Sequence, residues 1–207
     1  RVAVKLLKAE LNSADHVAHF RKEALLTAQI DHPNVTPVYE LAGRERGRPS
    51  FSMKLIRGRT LAQIVQEARA AVERSPRAKP DPEHDLNTLL DHFLKVCDAV
   101  SYAHSKGALH CDLKPANVMV GQFGEVYVMD WGLARLMPEA GVPPEEGIDL
   151  GDADVREHEV EGAVSGTLQY MSPEQAAGKN AVLDARSDVY SLGLILFEIV
   201  TLKNAIG

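Results

Sequence analysis

The sequence predicts an α+β fold in two lobes, and two observations carry that prediction. Strand-like patterns with a single helix come first and mainly helical patterns follow, which suggests two lobes with the chemistry near their junction. With 207 residues, 45% of them hydrophobic and 25% charged, the chain is also long and apolar enough to bury a real core.

The stretch VAVKLL, Val2 to Leu7, is short, β-branched and alternating, which predicts a strand with Lys5 on one face. A helix follows in SADHVAHFRKEALLTAQI, with Ser13 as its N-cap and Val17, Phe20, Ala24 and Ala28 at helical spacing; DHPN ends it. VTPVYELAG and PSFSMKLI read as two strands parted by the turn-rich, basic GRERGR. From Thr60 a helical pattern runs through LAQIVQEARAAVER and breaks at SPRAKPDPEHD, whose three prolines make an exposed loop. Leu86, Leu89, Leu90, Phe93, Leu94, Cys97 and Val100 then keep the stripe of a core-facing helix. A strand, EVYVMD, comes after the polar cluster described next, and no internal repeat is visible.

Composition narrows the function classes. Acidic side chains outnumber basic ones 29 to 23, a net charge of -6, which disfavours a general nucleic-acid-binding role. Cys97 and Cys111 form no CxxC pair, so neither a disulfide framework nor a cysteine zinc site is expected, and a reducing cytoplasm is the expected location. The most apolar stretch, Asp188 to Leu202, is interrupted by Ser191 and Glu198 and falls short of the roughly 18 apolar residues of a spanning helix. It reads as a core helix, so no membrane contact is expected of this segment. The chain opens with Arg inside a strand-like pattern and stops soon after that helix, so it is expected to be a piece of a longer protein, which leaves room for a membrane anchor elsewhere.

The stretch ALHCDLKPANVMV sets Asp112, Lys114 and Asn117 between two apolar runs, and Asp130 follows after the next strand. This set offers no nucleophilic Ser or Cys with an adjacent base and no His pair at metal-ligand spacing. What it offers is oxygen ligands suited to a hard cation such as Mg²⁺, a lysine to neutralise phosphoryl charge, and a carboxylate to orient a hydroxyl. Phosphoryl transfer fits it best.

Five segments, in order, resemble the eukaryotic-like, bacterial-type serine/threonine protein kinases. HCDLKPAN is similar to the family's H-R-D-x-K-x-x-N catalytic loop, MDWGLAR to its D-F-G segment, GTLQYMSPE to its A-P-E segment, VAVK to the strand with the ATP-contacting lysine, and DVYSLG to its central helix. The resemblance implies a small antiparallel β lobe over residues 1–56, with a hinge at 54–56. It implies a larger, mainly helical lobe over 57–207, with the catalytic loop at 110–117, the activation segment at 130–174 and the central helix at about 186–202. It assigns Lys5 to the α- and β-phosphates, Glu23 to an ion pair with Lys5, and Asp112 to the substrate hydroxyl. Lys114 is assigned to the γ-phosphate, and Asn117 and Asp130 to Mg²⁺, for which Mn²⁺ can substitute. Met53 takes the gatekeeper position; the Lys54 to Ile56 backbone and Met119 belong to the ATP site. The implied reaction is transfer of the ATP γ-phosphate to a protein Ser or Thr hydroxyl, Lys114-Pro115 and Thr167 being marks of the serine/threonine branch. The alternative is a pseudokinase that keeps the fold as a nucleotide-binding or scaffolding module. His110 is expected as a packed core residue in a stack with Trp131, Thr27 and Val38, Asp188 as a brace for the catalytic loop, and Glu174 as half of a pair with an arginine beyond the chain's end.

Three departures from the family pattern stand out. Cys111 replaces the arginine that in many kinases binds an activation-loop phosphate, and no Ser, Thr or Tyr lies between Asp130 and Val164. Residues 138–161 carry nine acids against one arginine, which reads as a solvated insert and points to control without a phosphate clamped by that arginine. Trp131 stands for the usual Phe. The glycine-rich loop is expected upstream of residue 1 and the remaining C-lobe helices beyond Gly207, so the fold is read as truncated at both ends.

Overall fold

The computed structural model describes residues 1–11, 13–42, 48–137, 147–151 and 162–206. The small lobe is a three-stranded antiparallel sheet of β1 (Val2–Leu6), β2 (Val38–Ala42) and β3 (Ser50–Lys54) in the order β1-β3-β2, with Lys5 opposite Phe51. Helix α1 (Ala14–Gln29) starts where the Ser13 hydroxyl accepts the His16 N–H, satisfying one of the orphan donors of the first turn. It packs Phe20 and Ala24 on Leu7 and Phe51, the two phenyl rings 5.0 Å apart.

The face predicted for α1 needs correction. Ala28 is exposed, and Leu26 and Thr27 are buried in its place. The helix is wedged between lobes: Phe20 and Ala24 belong to the small-lobe cluster, while Leu26 joins the larger core around Val35, Leu61 and Trp131. A single amphipathic stripe cannot describe a helix that buries two faces. The DHPN connector is tied down as well, since Asn34 Nδ2 donates to the Val126 carbonyl and the Val128 N–H donates to Asn34.

The large lobe rests on three long helices, α2 (Leu61–Arg74), α3 (Leu86–Ser105) and α5 (Ala185–Thr201); α4 (Pro173–Ala176) is a single turn. Thr60 and Gln63 form a capping box at the start of α2. In α3 the buried side is Leu89, Phe93, Val96, Val100 and Ala103, spaced by four and three. Leu86 and Leu94, expected in that stripe, are exposed. The proline-rich segment is an exposed loop up to the turn at Pro82–His84.

The predicted EVYVMD strand is present as β7 (Val126–Val128), but sequence patterning missed its sheet partners β4 (Gly58–Thr60) and β6 (Val118–Gly121), in the order β4-β6-β7, and a pair formed by β5 (Ala108–Leu109) and β8 (Arg135–Leu136). Strands of two to four residues are too short to show alternation. In β6, Val118 and Val120 face the core while Met119 is half-buried on the other face. Gly58 allows β4 to come close, for a Cβ there would sit 1.9 Å from the Val120 carbonyl oxygen. This sheet connects the segment expected as the hinge, through β4, to the segment expected as the catalytic loop, through β6.

Candidate active site

The catalytic-loop stretch is held from below. Asp188, in the first turn of α5 and 1% exposed, accepts the His110 N–H at 2.8 Å, the Cys111 N–H at 2.9 Å and a bond from His104 Nε2 at 2.8 Å. Burial alone would push its carboxyl up, but these donors outweigh it and hold the group below the usual carboxylate range. A second tether comes from α4, where Ser172 and Gln175 form a capping box and Gln175 Nε2 donates to the Cys111 carbonyl at 2.9 Å. Cys111 thereby adopts φ +63°, a left-handed conformation uncommon outside glycine; Asp130 has the same φ. Two such residues flanking one site are the pattern of stored strain at functional positions.

His110 links the loop to the segment before Asp130. Its Nδ1 accepts the Asp112 N–H at 3.2 Å, which places the proton on Nε2, and that N–H donates to the Met129 carbonyl at 3.1 Å. The ring lies 4.6 Å from Trp131, within the stack expected from the sequence. Thr27 is buried, its hydroxyl donating to the Glu23 carbonyl, whereas Val38 packs in the small-lobe cluster, apart from that of Trp131. The Trp131 indole N–H is buried without a partner among the described residues, a donor that a phenyl ring would not bring.

Burial pushes both His110 and His92 below the ordinary histidine value of 6.5. The unfolded chain takes up these protons as the pH falls through that value, and the folded chain resists them. Their contribution to stability is therefore complete above about pH 6.5 and declines as the pH drops below it. The thermal unfolding midpoint is expected to fall between pH 7.5 and 5.5; a flat profile over that range would contradict the buried neutral rings.

Four donors converge on the Asp112 carboxylate. Oδ1 accepts the Thr167 N–H and hydroxyl, both at 3.0 Å; Oδ2 accepts Lys114 Nζ at 2.6 Å and Asn117 Nδ2 at 3.0 Å. Lys114 Nζ also donates to the Thr167 hydroxyl at 2.6 Å. A hydroxyl thus already sits between this carboxylate and this ammonium. Gly166 makes the approach possible: at φ +120° it holds a backbone angle that a residue with a side chain adopts only under strain, and a Cβ there would press on Met171 Cε at 3.2 Å. Replacing Gly166 with alanine is expected to strip both Thr167 bonds and cost activity; unchanged turnover would overturn that reading.

Across the lobe junction, Lys5 Nζ donates to Glu23 Oε1 at 2.5 Å and to Asp130 Oδ1 at 3.2 Å. Burial opposes the Lys5 charge, but Glu23 and then Asp130 outweigh it and hold the ammonium above its usual range. Glu23 is 9% exposed, and burial, helped by the negative charge of Asp130, pushes its carboxyl up despite Lys5. Two carboxylates thus stabilise the Lys5 charge, whereas burial outweighs the lysine at Glu23.

The segment expected as the hinge follows β3. Met53 packs against the small-lobe cluster, the Lys54 N–H donates to the Pro37 carbonyl, and the Lys54 ammonium lies over the Tyr127 ring at 4.6 Å. Ile56 is half-buried, with no backbone bond to a described residue. The structure thus gathers Asp112, Lys114 and Asn117 in one hydrogen-bonded set, and Lys5, Glu23 and Asp130 in another.

Sequence reading took Thr167 only as a mark of the serine/threonine branch, yet it touches both Asp112 and Lys114. Gln175 escaped notice altogether, and the Ser-Pro-Glu-Gln run, a capping-box pattern, was its one signal. Glu174, expected to pair with an arginine, accepts the Ser187 hydroxyl at 2.6 Å, which holds its carboxyl below the usual range. Cys111 lines a cavity together with His19, Lys22, Arg135 and Ser165. The acidic stretch 138–161 falls outside the described residues except for 147–151.

The family comparison matches residues 1–206 to the model of the protein kinase domain, and the chain belongs to that family. It is 34% identical to the serine/threonine-protein kinase PknD of Protochlamydia amoebophila over 99% of its length and 21% of the relative's. It is 35% identical to the probable serine/threonine-protein kinase SCO3848 of Streptomyces coelicolor over 98% of its length, and 35% identical to PknB of Mycobacterium leprae over 97%; these matches cover 26% and 28% of the relatives. The chain thus spans between a fifth and three tenths of the proteins it matches. Among the described residues no helix is long and apolar enough to cross a membrane.

Proposed function

We propose that the chain is the catalytic domain of a serine/threonine protein kinase that transfers the ATP γ-phosphate to Ser or Thr hydroxyls of a protein. The observation that carries this reading is the hydroxyl of Thr167 lying between Asp112 and Lys114, because it displays the contacts a substrate hydroxyl needs: a carboxylate to take or orient its proton and a cation beside the oxygen. The pseudokinase alternative has no support, since Lys5, Glu23, Asp112, Asn117 and Asp130 are all present and the relatives are named as kinases. Incubating the protein with labelled ATP and a mixed protein substrate is expected to put label on serine and threonine; label on tyrosine alone would overturn the assignment.

ATP and a divalent cation belong to the family's chemistry, and the donor set suits a hard cation. Asn117 spends its amide nitrogen on Asp112 and so presents its oxygen, and the Asp130 side chain is half exposed. Mg²⁺ takes one or two protein oxygens of this kind and fills its shell with phosphate and water. When bound it would neutralise charge on the phosphates. Lys5 would hold the α- and β-phosphates, and the backbone of Lys54 and Ile56, with Met53 and Met119 beside it, would receive the adenine. Chelation with EDTA is expected to abolish transfer and added Mg²⁺ to restore it, with Mn²⁺ as a substitute; full activity in EDTA would refute the cation requirement.

Control, on this proposal, does not run through a phosphate clamped by the residue before Asp112. Cys111 supports that, as does the absence of hydroxyl side chains from 131 to 163. Mapped phosphosites are expected at Ser165 or Thr167, or nowhere in the segment. A phosphosite whose effect disappears with Arg135→Gln or Lys22→Gln would show that a clamp survives in the cavity beside Cys111.

A further inference from the structure

The last turn of α1 is gripped by a residue far along the chain. Gln29, which ends the helix, spends both ends of its side-chain amide on Asp149 in the acidic stretch 138–161. Its Nε2 donates to the Asp149 carbonyl at 2.6 Å, and its Oε1 accepts the Asp149 N–H at 2.8 Å. A glutamine amide sets donor and acceptor side by side and so matches the N–H and C=O of a single residue, whatever that residue's side chain. The same Nε2 donates to the Leu25 carbonyl at 3.2 Å, which anchors the amide to its own helix.

Apolar burial adds a second grip beside the first. Leu150 is 4% exposed and belongs to the core cluster that holds Leu26, Ile30 and Trp131, and the half-buried Ile148 packs against that cluster. These two are the only leucine and isoleucine in 138–161, a stretch that carries nine acids against one arginine. So charged a segment gains little by collapsing on itself, and its apolar pair is buried where a helix end and the large core receive it. Asp149, between them, is exposed, and its carboxylate turns to the Gly151 N–H at 2.8 Å.

We propose that Ile148–Leu150 is a strap that fixes the last turn of α1 and so holds Glu23 where it meets Lys5, with Gln29 and Leu150 as positioning residues for nucleotide binding. The proposal rests on the kinase reading only for the role of Lys5 toward ATP. Glu23 stands on the same helix, less than two turns before Gln29, and its carbonyl accepts the Thr27 hydroxyl. Its carboxylate reaches Lys5 at 2.5 Å, so a small shift of the helix breaks the pair. The strap acts without charge, through the backbone of Asp149 and the burial of Leu150. It therefore needs no phosphate, which suits a segment without hydroxyl side chains from 131 to 163.

The test compares Gln29→Ala, the joint variant Ile148→Gly with Leu150→Gly, Leu150→Met and Asp149→Ala, by amide hydrogen exchange in α1 and by binding of a fluorescent ATP analogue. Gln29→Ala and the joint variant are expected to speed exchange in α1 and to weaken nucleotide binding about tenfold, raising KM for ATP more than they lower kcat. Leu150→Met refills the buried site and Asp149→Ala keeps the backbone bonds, so both are expected to match the parent. Gln29 is half-buried at a helix end, so its truncation leaves the fold intact even where the joint variant does not. Unchanged nucleotide affinity in Gln29→Ala, with or without faster exchange, would overturn the proposal, as would equal damage from Asp149→Ala. A parent that transfers no phosphate while these exchange and binding differences persist would instead strike the kinase reading and leave the strap standing.

Discussion

Replacing Asp112 with asparagine is expected to lower phosphotransfer about a thousandfold, roughly 4 kcal/mol of transition-state stabilisation, with ATP affinity changed far less. The carboxylate is the one group in contact with the Thr167 hydroxyl that can take a proton from it, and an amide cannot. The substitution also has a structural cost. Donors approach both oxygens, Thr167 on one side and Lys114 with Asn117 on the other, so whichever way the amide turns, its NH₂ meets a donor. A loss of about 1–3 kcal/mol in stability should accompany the loss of rate. Single-turnover transfer, nucleotide binding and thermal unfolding measured on the same variant separate the two effects. Equal label incorporation by parent and variant would remove Asp112 from the reaction; a variant unable to bind ATP would make its role one of folding.

The sequence was most legible where chemistry compresses residues into short runs. Asp112, Lys114 and Asn117 lie within six positions, and the residue types alone suggested phosphoryl transfer before any fold was known. Lys5, Glu23 and Asp130 are a different case. Taken singly they read as a surface lysine, a solvated glutamate and a turn residue, and only family resemblance joined them, because the contacts linking them span 18 and 125 positions. The helices were legible as existence and type, less so as faces. Amphipathic spacing presumes one buried side, yet α1 buries two, and exposed Leu86 and Leu94 on α3 show apolar character without burial. Of the sheet β4-β6-β7 only β7, in EVYVMD, was legible; β4 and β6 stayed hidden because they are short and their close approach is set by a glycine, Gly58, whose role lies in what it lacks. Thr167 and Gln175 were missed as site residues for a related reason. Their partners, Asp112 and the Cys111 carbonyl, are 55 and 64 positions away, and no local pattern encodes a contact of that span.

Removing the Asp188 carboxylate is expected to do more to the fold than any catalytic substitution, although Asp188 touches no reacting group. It is 1% exposed and answers three donors at once, the N–H groups of His110 and Cys111 and the His104 ring. Asp188→Ala would leave those groups buried and unanswered, at a cost of about 3–5 kcal/mol, a large part of the 5–15 kcal/mol that holds a typical domain together. Asp188→Asn keeps one acceptor oxygen and should cost less, about 2–3 kcal/mol, since its NH₂ must then face another donor. Acid gives an independent handle on the same group. Its folded carboxyl is held below the ordinary value of 3.8, so its contribution is complete above that value and is lost as the pH falls through the lower, folded one. The parent should therefore lose stability steeply at the acid end, and Asp188→Asn should flatten that limb. Activity should follow the fold, because two of those bonds hold the backbone N–H groups of His110 and Cys111 beside the left-handed angle at Cys111 and so aim Asp112. The distinguishing measurement is turnover per folded molecule at low temperature, where Asp188→Asn is largely native. A normal value there would make the brace a matter of stability alone, whereas a drop larger than the unfolded fraction explains would mean that the angle at Cys111 is part of how Asp112 meets its hydroxyl.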